Sequence, residues 1–375
     1  MKRGANDMMS EKLNVRKAES TFRSLQYKND LYDFTSNDYL GFARSLELRL
    51  MVNSELEKHG RILSGATGSR LLSGNSEFAE QLEEEIAGYH HAANGLIFNS
   101  GYAANSAIFS CLPQKDDTIL HDELIHASII DGSRLSYATR LKFRHNDLAD
   151  LEKKLKRITG ICYVAVESIY SMDGDMADLA GISSLCQLYG AHLIVDEAHA
   201  FGVTGTGVVD MLGIQDTVFA RIITFGKALG LHGAIVLGTD LLRDYLINFA
   251  RPFIYTTALP YPQLIAIKIA YKYLLAHPEL QELLKRKSSL LKANLPQEHQ
   301  LLCNDNPGAI HCIFLSSNDK AIKCSRELQK NGFDVRPILS PTVAKGKERL
   351  RICIHIHNSD EEILELCHYI KLLSQ

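Results

Sequence analysis

No apolar run in this sequence approaches the ~20 residues that a membrane-crossing helix needs, which excludes an ordinary spanning segment. The opening residues Met1-Lys2-Arg3-Gly4-Ala5-Asn6-Asp7 are basic but lack the apolar stretch of a secretory leader. Neither sign of charge dominates: 41 Lys and Arg stand against 44 Asp and Glu, so no global basic field points to nucleic acid. The densest basic run, Lys153-Lys154-Leu155-Lys156-Arg157, reads as the solvated face of a helix. The cysteines at 111, 162, 186, 303, 312, 324, 353 and 367 contain no Cys-x-x-Cys pair and no Cys/His ligand spacing. That pattern argues against structural zinc and suits a reducing cytoplasm. Cys162 and Cys353 sit inside apolar runs and read as small core residues. A dinucleotide-binding Gly-x-Gly-x-x-Gly turn is missing too. The nearest stretch, Gly205-Thr206-Gly207-Val208-Val209-Asp210, lacks its third glycine and lies mid-chain, which disfavours a nicotinamide dehydrogenase. There is no internal repeat or low-complexity segment.

What the chain does have is 375 residues, 46% of them apolar, enough for a large domain and a smaller one. Four short apolar runs, at 161–166, 192–195, 222–224 and 234–237, read as buried strands, with helix-spaced segments between them. Alternation of that kind predicts an α/β fold with a mostly parallel sheet covered on both faces by helices. Phe78, Leu82 and Ile86 recur at four-residue intervals, as on one face of a helix. Ser359 and Glu362 form a capping box ahead of Ile363, Leu366, Ile370 and Leu373, predicting a final helix. Pro260 and Pro262 precede a long helical stretch from Gln263 towards Lys287. The predicted organisation is a polar N-terminal arm over 1–35, a large α/β domain over 36–260 and a small α+β domain over 261–375.

Functional groups of an open α/β sheet gather beyond the carboxyl ends of its strands. Three predicted strands end in polar clusters: Glu167 to Asp175, Asp196-Glu197-Ala198-His199, and Thr224-Phe225-Gly226-Lys227. An acid at one strand end, a lysine at another and a hydroxyl beside it suit pyridoxal 5′-phosphate. Its aldehyde needs an amine, its pyridine nitrogen needs a carboxylate to stay protonated, and its phosphate needs donors. Asp196 is the candidate carboxylate and Lys227 the candidate amine, forming a Schiff base and then serving as acid and base. Asn99 to Asn105, a small turn containing Gly101 and followed by Tyr102, offers further backbone N–H groups at a helix start. Each piece also has an ordinary reading: Asp196 as a helix cap, Lys227 as a surface residue, His126 as a structural histidine. Spacing alone leaves those readings open.

At these residues the sequence resembles the α-oxoamine synthases, a family of fold-type I pyridoxal-phosphate enzymes. The matching stretches run in order: Ser36-Asn37-Asp38-Tyr39-Leu40-Gly41, Gly65 to Arg70, Ser73-Gly74-Asn75, Asn99 to Asn105, Ser171 to Asp175, Asp196 to His199, Thr224 to Lys227, Pro341-Thr342-Val343 and Arg349-Leu350-Arg351. They cover nearly the whole chain from about Arg23 onward. The resemblance implies that Lys227 carries the cofactor, Asp196 pairs with its ring nitrogen and His126 stacks on the ring. It implies that Ser171 and His199 bond near the ring oxygen, that Thr224 helps hold the phosphate, and that Gly101 and Tyr102 lie against the cofactor. Arg351 is implied as the grip on the amino-acid carboxylate, with Arg23, Thr342, Asn37 and His126 also facing substrate. A homodimer with active sites at its interface is implied as well, Ser69-Arg70 and Thr256-Thr257 reaching across. Two positions depart from the family pattern. Ala79 stands where a histidine is frequent, and Ile356-His357-Asn358 replaces an Ala-Ala-His stretch.

Among the branches, Arg70 to Asn75, Glu167-Ser168, Phe225 to Gly230 with His232-Gly233, and Ile254 to Pro260 most resemble the 8-amino-7-oxononanoate synthases. That branch implies condensation of L-alanine with a pimeloyl thioester, carried on coenzyme A or an acyl carrier protein, with loss of carbon dioxide, in biotin synthesis. Glycine C-acetyltransferase and serine palmitoyltransferase are the alternative branches. A non-catalytic partner subunit is an alternative of another class, against which Lys227, Asp196, His126 and His199 all stand.

Overall fold

The computed structural model describes residues 4–25, 30–59, 64–296 and 308–374. It divides into two compact units. Of the described residues, the larger takes those within 37–285 and Gly308, and the smaller those within 4–36, 286–296 and 309–374.

In chain order a two-residue strand, β1 (Tyr32–Asp33), precedes the seven strands of the larger unit. These are β2 (Asn94–Phe98), β3 (Thr118–Asp122), β4 (Thr139–Phe143), β5 (Cys162–Glu167), β6 (His192–Asp196), β7 (Val218–Thr224) and β8 (Ala234–Gly238). They form one sheet in the order β2-β8-β7-β6-β5-β3-β4. The sheet is parallel from β7 to β4, while β8 runs antiparallel to both its neighbours. The mostly parallel α/β architecture is therefore present.

Alternation along β5 shows why the central strands read as unbroken apolar runs. Cys162, Val164 and Val166 belong to one buried cluster and Tyr163 and Ala165 to another, on opposite faces. Helices Gly101–Cys111, Ala127–Leu135 and Asp240–Phe249 contribute to the second cluster, and helices Leu148–Leu155 and Leu179–Tyr189 to the first. The basic run at 153–157 lies at the end of Leu148–Leu155, whose buried residues are Leu151 and Leu155. Helix Glu77–Tyr89 buries Leu82 and Ile86, as their spacing predicts.

The long helix predicted from Gln263 is two, Tyr261–Ala276 and Glu279–Asn294. Pro278 has no N–H for a helical bond and disfavours helical backbone at the residue before it; His277 leaves the helix at φ −126°, ψ 64°. The first of these helices belongs to the larger unit, which runs to Lys285 rather than to the prolines at 260 and 262. Its Tyr271 is buried and lies 3.1 Å from His90 Nε2 through its hydroxyl.

In the smaller unit β9 (Ile310–Phe314), β11 (Arg336–Ile338) and β12 (Arg349–Cys353) form an antiparallel sheet in the order β11-β12-β9, and β10 (Phe333–Asp334) pairs in parallel with β1. Residues 5–18 of the N-terminal arm form a helix with no buried residue. The final helix, Asp360–Ser374, has its capping box: Ser359 N–H donates to Glu362 Oε2 at 3.1 Å, and Glu362 N–H to Ser359 Oγ at 3.1 Å. Asn358, one of the two departures, is buried. Its Nδ2 donates to the Asp33 carbonyl at 2.9 Å and its Oδ1 accepts from the His355 N–H at 3.0 Å, fastening β1 to the loop after β12. Ala79, the other, is buried inside Glu77–Tyr89, and its N–H is capped by Ser76 Oγ. No helix among the described residues is long and apolar enough to cross a membrane.

Candidate active site

Glu167, Asp196 and Thr224 are the last residues of the parallel strands β5, β6 and β7, so their side chains collect at one edge of the sheet. Lys227 follows β7 after a two-residue turn and is half-buried. Together with Asn37, Ser100, Gly101, Tyr102, Asn105, His126 and Ser128, these residues line a cavity of about 210 Å³.

Asp196 is fixed by two donors. Ala198 N–H reaches Oδ1 at 2.9 Å and Asn105 Nδ2 reaches Oδ2 at 2.7 Å. The second hydrogen of the Asn105 amide goes to Ser128 Oγ at 3.0 Å, and Ser128 Oγ lies 2.7 Å from His126 Nδ1. Asn105 thus joins the carboxylate to the imidazole. The Ser128 N–H also donates to His126 Nδ1, at 3.2 Å, so that nitrogen is the acceptor and the ring proton belongs on Nε2. His126 caps helix Ala127–Leu135 and lines the cavity as well, so its structural and functional readings hold at once. Burial lowers its pKa, Asp196 opposes and Lys227 reinforces, which favours a neutral ring.

Gly101 opens helix Gly101–Cys111, capped by Ser100. A Cβ on Gly101 would lie 2.5 Å from Thr224 Cγ2, so only glycine lets this helix start sit against the end of β7. Thr224 Oγ1 is buried with no partner of its own. An anion held there would meet a hydroxyl and a helix N-terminus together. Tyr102, half exposed, donates its hydroxyl to Asp131, which also pairs with Arg134 at 3.0 Å.

Ser171 and His199 are not among the residues that line the cavity. The Ser171 N–H donates to Glu167 Oε2 at 3.1 Å. His199 Nδ1 lies 2.8 Å from the Tyr39 hydroxyl, which donates to Asn37 Oδ1 at 3.1 Å. Arg70 is bound within its own chain to Glu83 (Nη1–Oε1 2.7 Å, Nη2–Oε2 3.1 Å), and Thr256 and the Thr257 carbonyl accept from Asn99 Nδ2 at 3.1 and 2.8 Å. Arg23, Thr342 and Arg351 belong to the smaller unit. Arg23 Nη2 donates to Thr342 Oγ1 at 3.2 Å, and Arg351 lies on β12 with Nη1 3.0 Å from Cys353 Sγ.

Asn105, Ser128, Tyr39 and Glu167 escaped assignment from the sequence. Asn105 was findable, since it lies one helical turn beyond Gly101 and so shares its face. Glu167 was visible at a strand end, but its role depends on which strand lies beside β5.

In the smaller unit, ligand atoms of Asp33, His355 and His357 lie within 4.8 Å of one another. They do not suit a metal. His355 Nδ1 lies 3.0 Å from Asn358 Oδ1 and Nε2 lies 3.0 Å from the Ser36 carbonyl, so both ring nitrogens face acceptors. The Asp33 carboxylate already accepts from Thr35 N–H, Ser36 N–H and Ser36 Oγ.

The larger unit's cavity does suit pyridoxal 5′-phosphate: an amine on Lys227, an oriented carboxylate on Asp196, and an unpartnered hydroxyl on Thr224 beside a helix start. Comparisons with known proteins agree. An 8-amino-7-oxononanoate synthase of Emericella nidulans is 41% identical over 356 residues, 88% of this chain and 86% of that protein. The crystal structure of 8-amino-7-oxononanoate synthase from Francisella tularensis superposes with a TM-score of 0.76 at 29% identity, covering 92% of this chain and 98% of that one. The Sphingomonas wittichii serine palmitoyltransferase superposes with a TM-score of 0.82 at 25% identity, covering 98% and 96%. Residues 29–370 match aminotransferase class I and II, and the chain belongs to that family.

Proposed function

We infer that this chain is a pyridoxal-phosphate-dependent 8-amino-7-oxononanoate synthase, condensing L-alanine with a pimeloyl thioester in biotin synthesis. The observation that carries the reading is the single cavity holding Lys227, Asp196 and His126, with Asn105 joining the last two. In the net reaction the α-carbon of alanine bonds to the thioester carbonyl carbon, and the thiol and carbon dioxide leave.

The cofactor, when bound, supplies an aldehyde for the amine and a protonated ring that takes up electron density from the carbon beside it. Asp196 holds the proton on the ring nitrogen, its two oxygens kept in place by Asn105 and Ala198. Thr224 Oγ1 and the N–H groups at Gly101 and Tyr102 receive the phosphate. Lys227 Nζ would be the amine that holds the cofactor's aldehyde, and it would serve as base and acid at the α-carbon of alanine. His126, neutral and fixed through Ser128, covers the ring and presents Nε2–H to the substrate carboxylate. His199 and Ser171 would bond near the ring oxygen only if the bound cofactor reaches past the present lining, and Asn37, which lines the cavity, would face the substrate. Arg351 would bind the amino-acid carboxylate with its planar fork, and Arg23 and Thr342 would face the substrate.

We assign the chain to a cytoplasmic homodimer whose two active sites lie at the subunit interface, with either coenzyme A or an acyl carrier protein delivering the acyl group. The test is thiol release by the purified protein with pimeloyl-CoA, acetyl-CoA or palmitoyl-CoA, each paired with L-alanine, glycine or L-serine. Fast turnover confined to alanine with pimeloyl-CoA is expected. Preference for glycine with acetyl-CoA or serine with palmitoyl-CoA would move the chain to another branch, and no thiol release with any pair would refute the enzyme.

A further inference from the structure

Glu167 and Asp196 are direct partners in the parallel ladder between β5 and β6, so two carboxylates open into the cavity from adjacent strand ends. Both are buried, Glu167 to 2% exposure and Asp196 to 5%. A single lysine, Lys227, faces them. Two buried carboxylates beside one cation do not both stay charged without further donors, and the donors are unevenly shared. Asp196 has one on each oxygen. Glu167 receives the Ser171 N–H on Oε2, while its Oε1 is buried with no hydrogen-bond partner.

We propose that Glu167 serves the cofactor site as a neutral acid, its Oε1 carrying a proton that it donates to an acceptor atom of the bound cofactor, so that Asp196 is the only carboxylate charge in the cavity. The orphaned oxygen then becomes a donor with a partner to find, whereas as a carboxylate it is a buried acceptor with none. The charge balance favours the same form. Burial and the Asp196 charge push the Glu167 pKa up to about 8, against Lys227 and the backbone N–H groups of Ser171 and His126, which pull it down. Titratable groups near it include the neutral His126 ring, at the start of the neighbouring helix, and the buried Tyr170 on its own loop, while Tyr102 and His232 line the same cavity. A neutral carboxyl kept as a hydrogen-bond donor in an apolar or anionic site is a known device of enzyme chemistry. Here it would keep a second negative charge away from a cofactor whose phosphate is already anionic, and leave the ring proton to Asp196 alone.

The proposal rests on the pyridoxal-phosphate reading, and the test separates the two. The dissociation constant for pyridoxal 5′-phosphate is measured for the full-length protein and for Glu167→Gln, from about pH 6 to about pH 9.5. The other groups of the site and the cofactor phosphate are common to both proteins, so the ratio of wild-type to variant constants isolates Glu167. The expected ratio is level at low pH, then rises about tenfold per pH unit once Glu167 ionises, because one proton is lost from the binding-competent form. A ratio constant across the range would overturn the neutral acid while leaving the cofactor assignment intact; no binding by the wild type at any pH would overturn the cofactor reading and the proposal with it. Should Glu167→Gln fail to fold, the wild-type holoenzyme still decides. Its infrared difference spectrum against the apoprotein at about pH 9 should show a protonated-carboxyl stretch gained on cofactor binding, and its absence would reject the proposal.

Discussion

Asn105 shows how much a single neutral residue does in this site. Its two amide hydrogens are divided between Asp196 and Ser128, so one side chain orients the carboxylate and, through the serine, the imidazole of His126. Removing it breaks a charge-assisted bond of about 1.5–3 kcal/mol. Asn105→Ala is therefore expected to lower kcat/KM with alanine by about tenfold or more, since each 1.4 kcal/mol is a factor of ten. Asn105→Asp should do more damage than alanine, because it sets another carboxylate against Asp196. Steady-state kinetics of the two variants, read beside their cofactor affinities, check both; equal effects of Ala and Asp would contradict the electrostatic account.

At the scale of elements, the loop from Ser168 to Met176 is secured away from the cavity by His145. Its Nδ1 lies 3.0 Å from Asp122 Oδ1, at the end of β3, and its Nε2 lies 2.7 Å from Asp175 Oδ2, while its ring meets Tyr170 edge-on at 4.5 Å. Asn146, at φ 51°, adds a bond from Nδ2 to Asp175 at 2.9 Å. Burial opposes charge on His145, but the hydrogen bonds and charges of the two carboxylates outweigh it and raise its pKa to about 10. A folded-state pKa above the unfolded value, near ~6.5, gives stability that is full below about pH 6.5 and fades as pH rises towards 10. His145→Ala leaves two carboxylates without their cation and is expected to cost about 3–5 kcal/mol near pH 6. Urea unfolding at about pH 6 and again near pH 10 checks this, the gap between wild type and variant narrowing at the higher pH. A gap independent of pH would mean that His145 acts by packing alone.

Across the larger unit as a whole, one buried cation ties distant segments together. Arg221, in mid-β7, donates to Glu197 Oε2 at 2.7 Å, to Asp210 Oδ1 and Oδ2 at 2.9 Å, and to the His90 carbonyl at 2.9 Å. Gly207, at φ 127°, brings the backbone within reach of this group; a Cβ there would stand 2.4 Å from Glu197 Oε2. Burial raises the Glu197 pKa against the pull of Arg221, and lowers that of His90, so the arginine is the cation that matters. Arg221→Met is expected to destabilise the fold by about 3–5 kcal/mol, and Arg221→Lys to recover only part of the loss, because lysine has no planar fork. Calorimetric unfolding of the three proteins measures this, and a lysine variant as stable as wild type would refute the role of the fork.

Local chemistry was legible in the amino-acid order: apolar runs ending in Asp196 and in Thr224 to Lys227, a glycine at a helix start, a capping box at Ser359. Strand and helix periods, caps and strand-end clusters are set by near neighbours in the chain, so they can be read along it. Strand β4 escaped because it is an edge: Thr139, Arg140, Leu141 and Lys142 are exposed, and a charged edge strand leaves no apolar run. The break at Pro278 was written in the sequence but outweighed by the apolar spacing around it. Only the tertiary structure decided that β8 runs antiparallel, that helix Tyr261–Ala276 stays with the larger unit, and that Glu167 stands beside Asp196. Strand order and ladder register depend on segments far apart in the chain, and it is their pairing that puts two carboxylates, an amide and a lysine into one cavity.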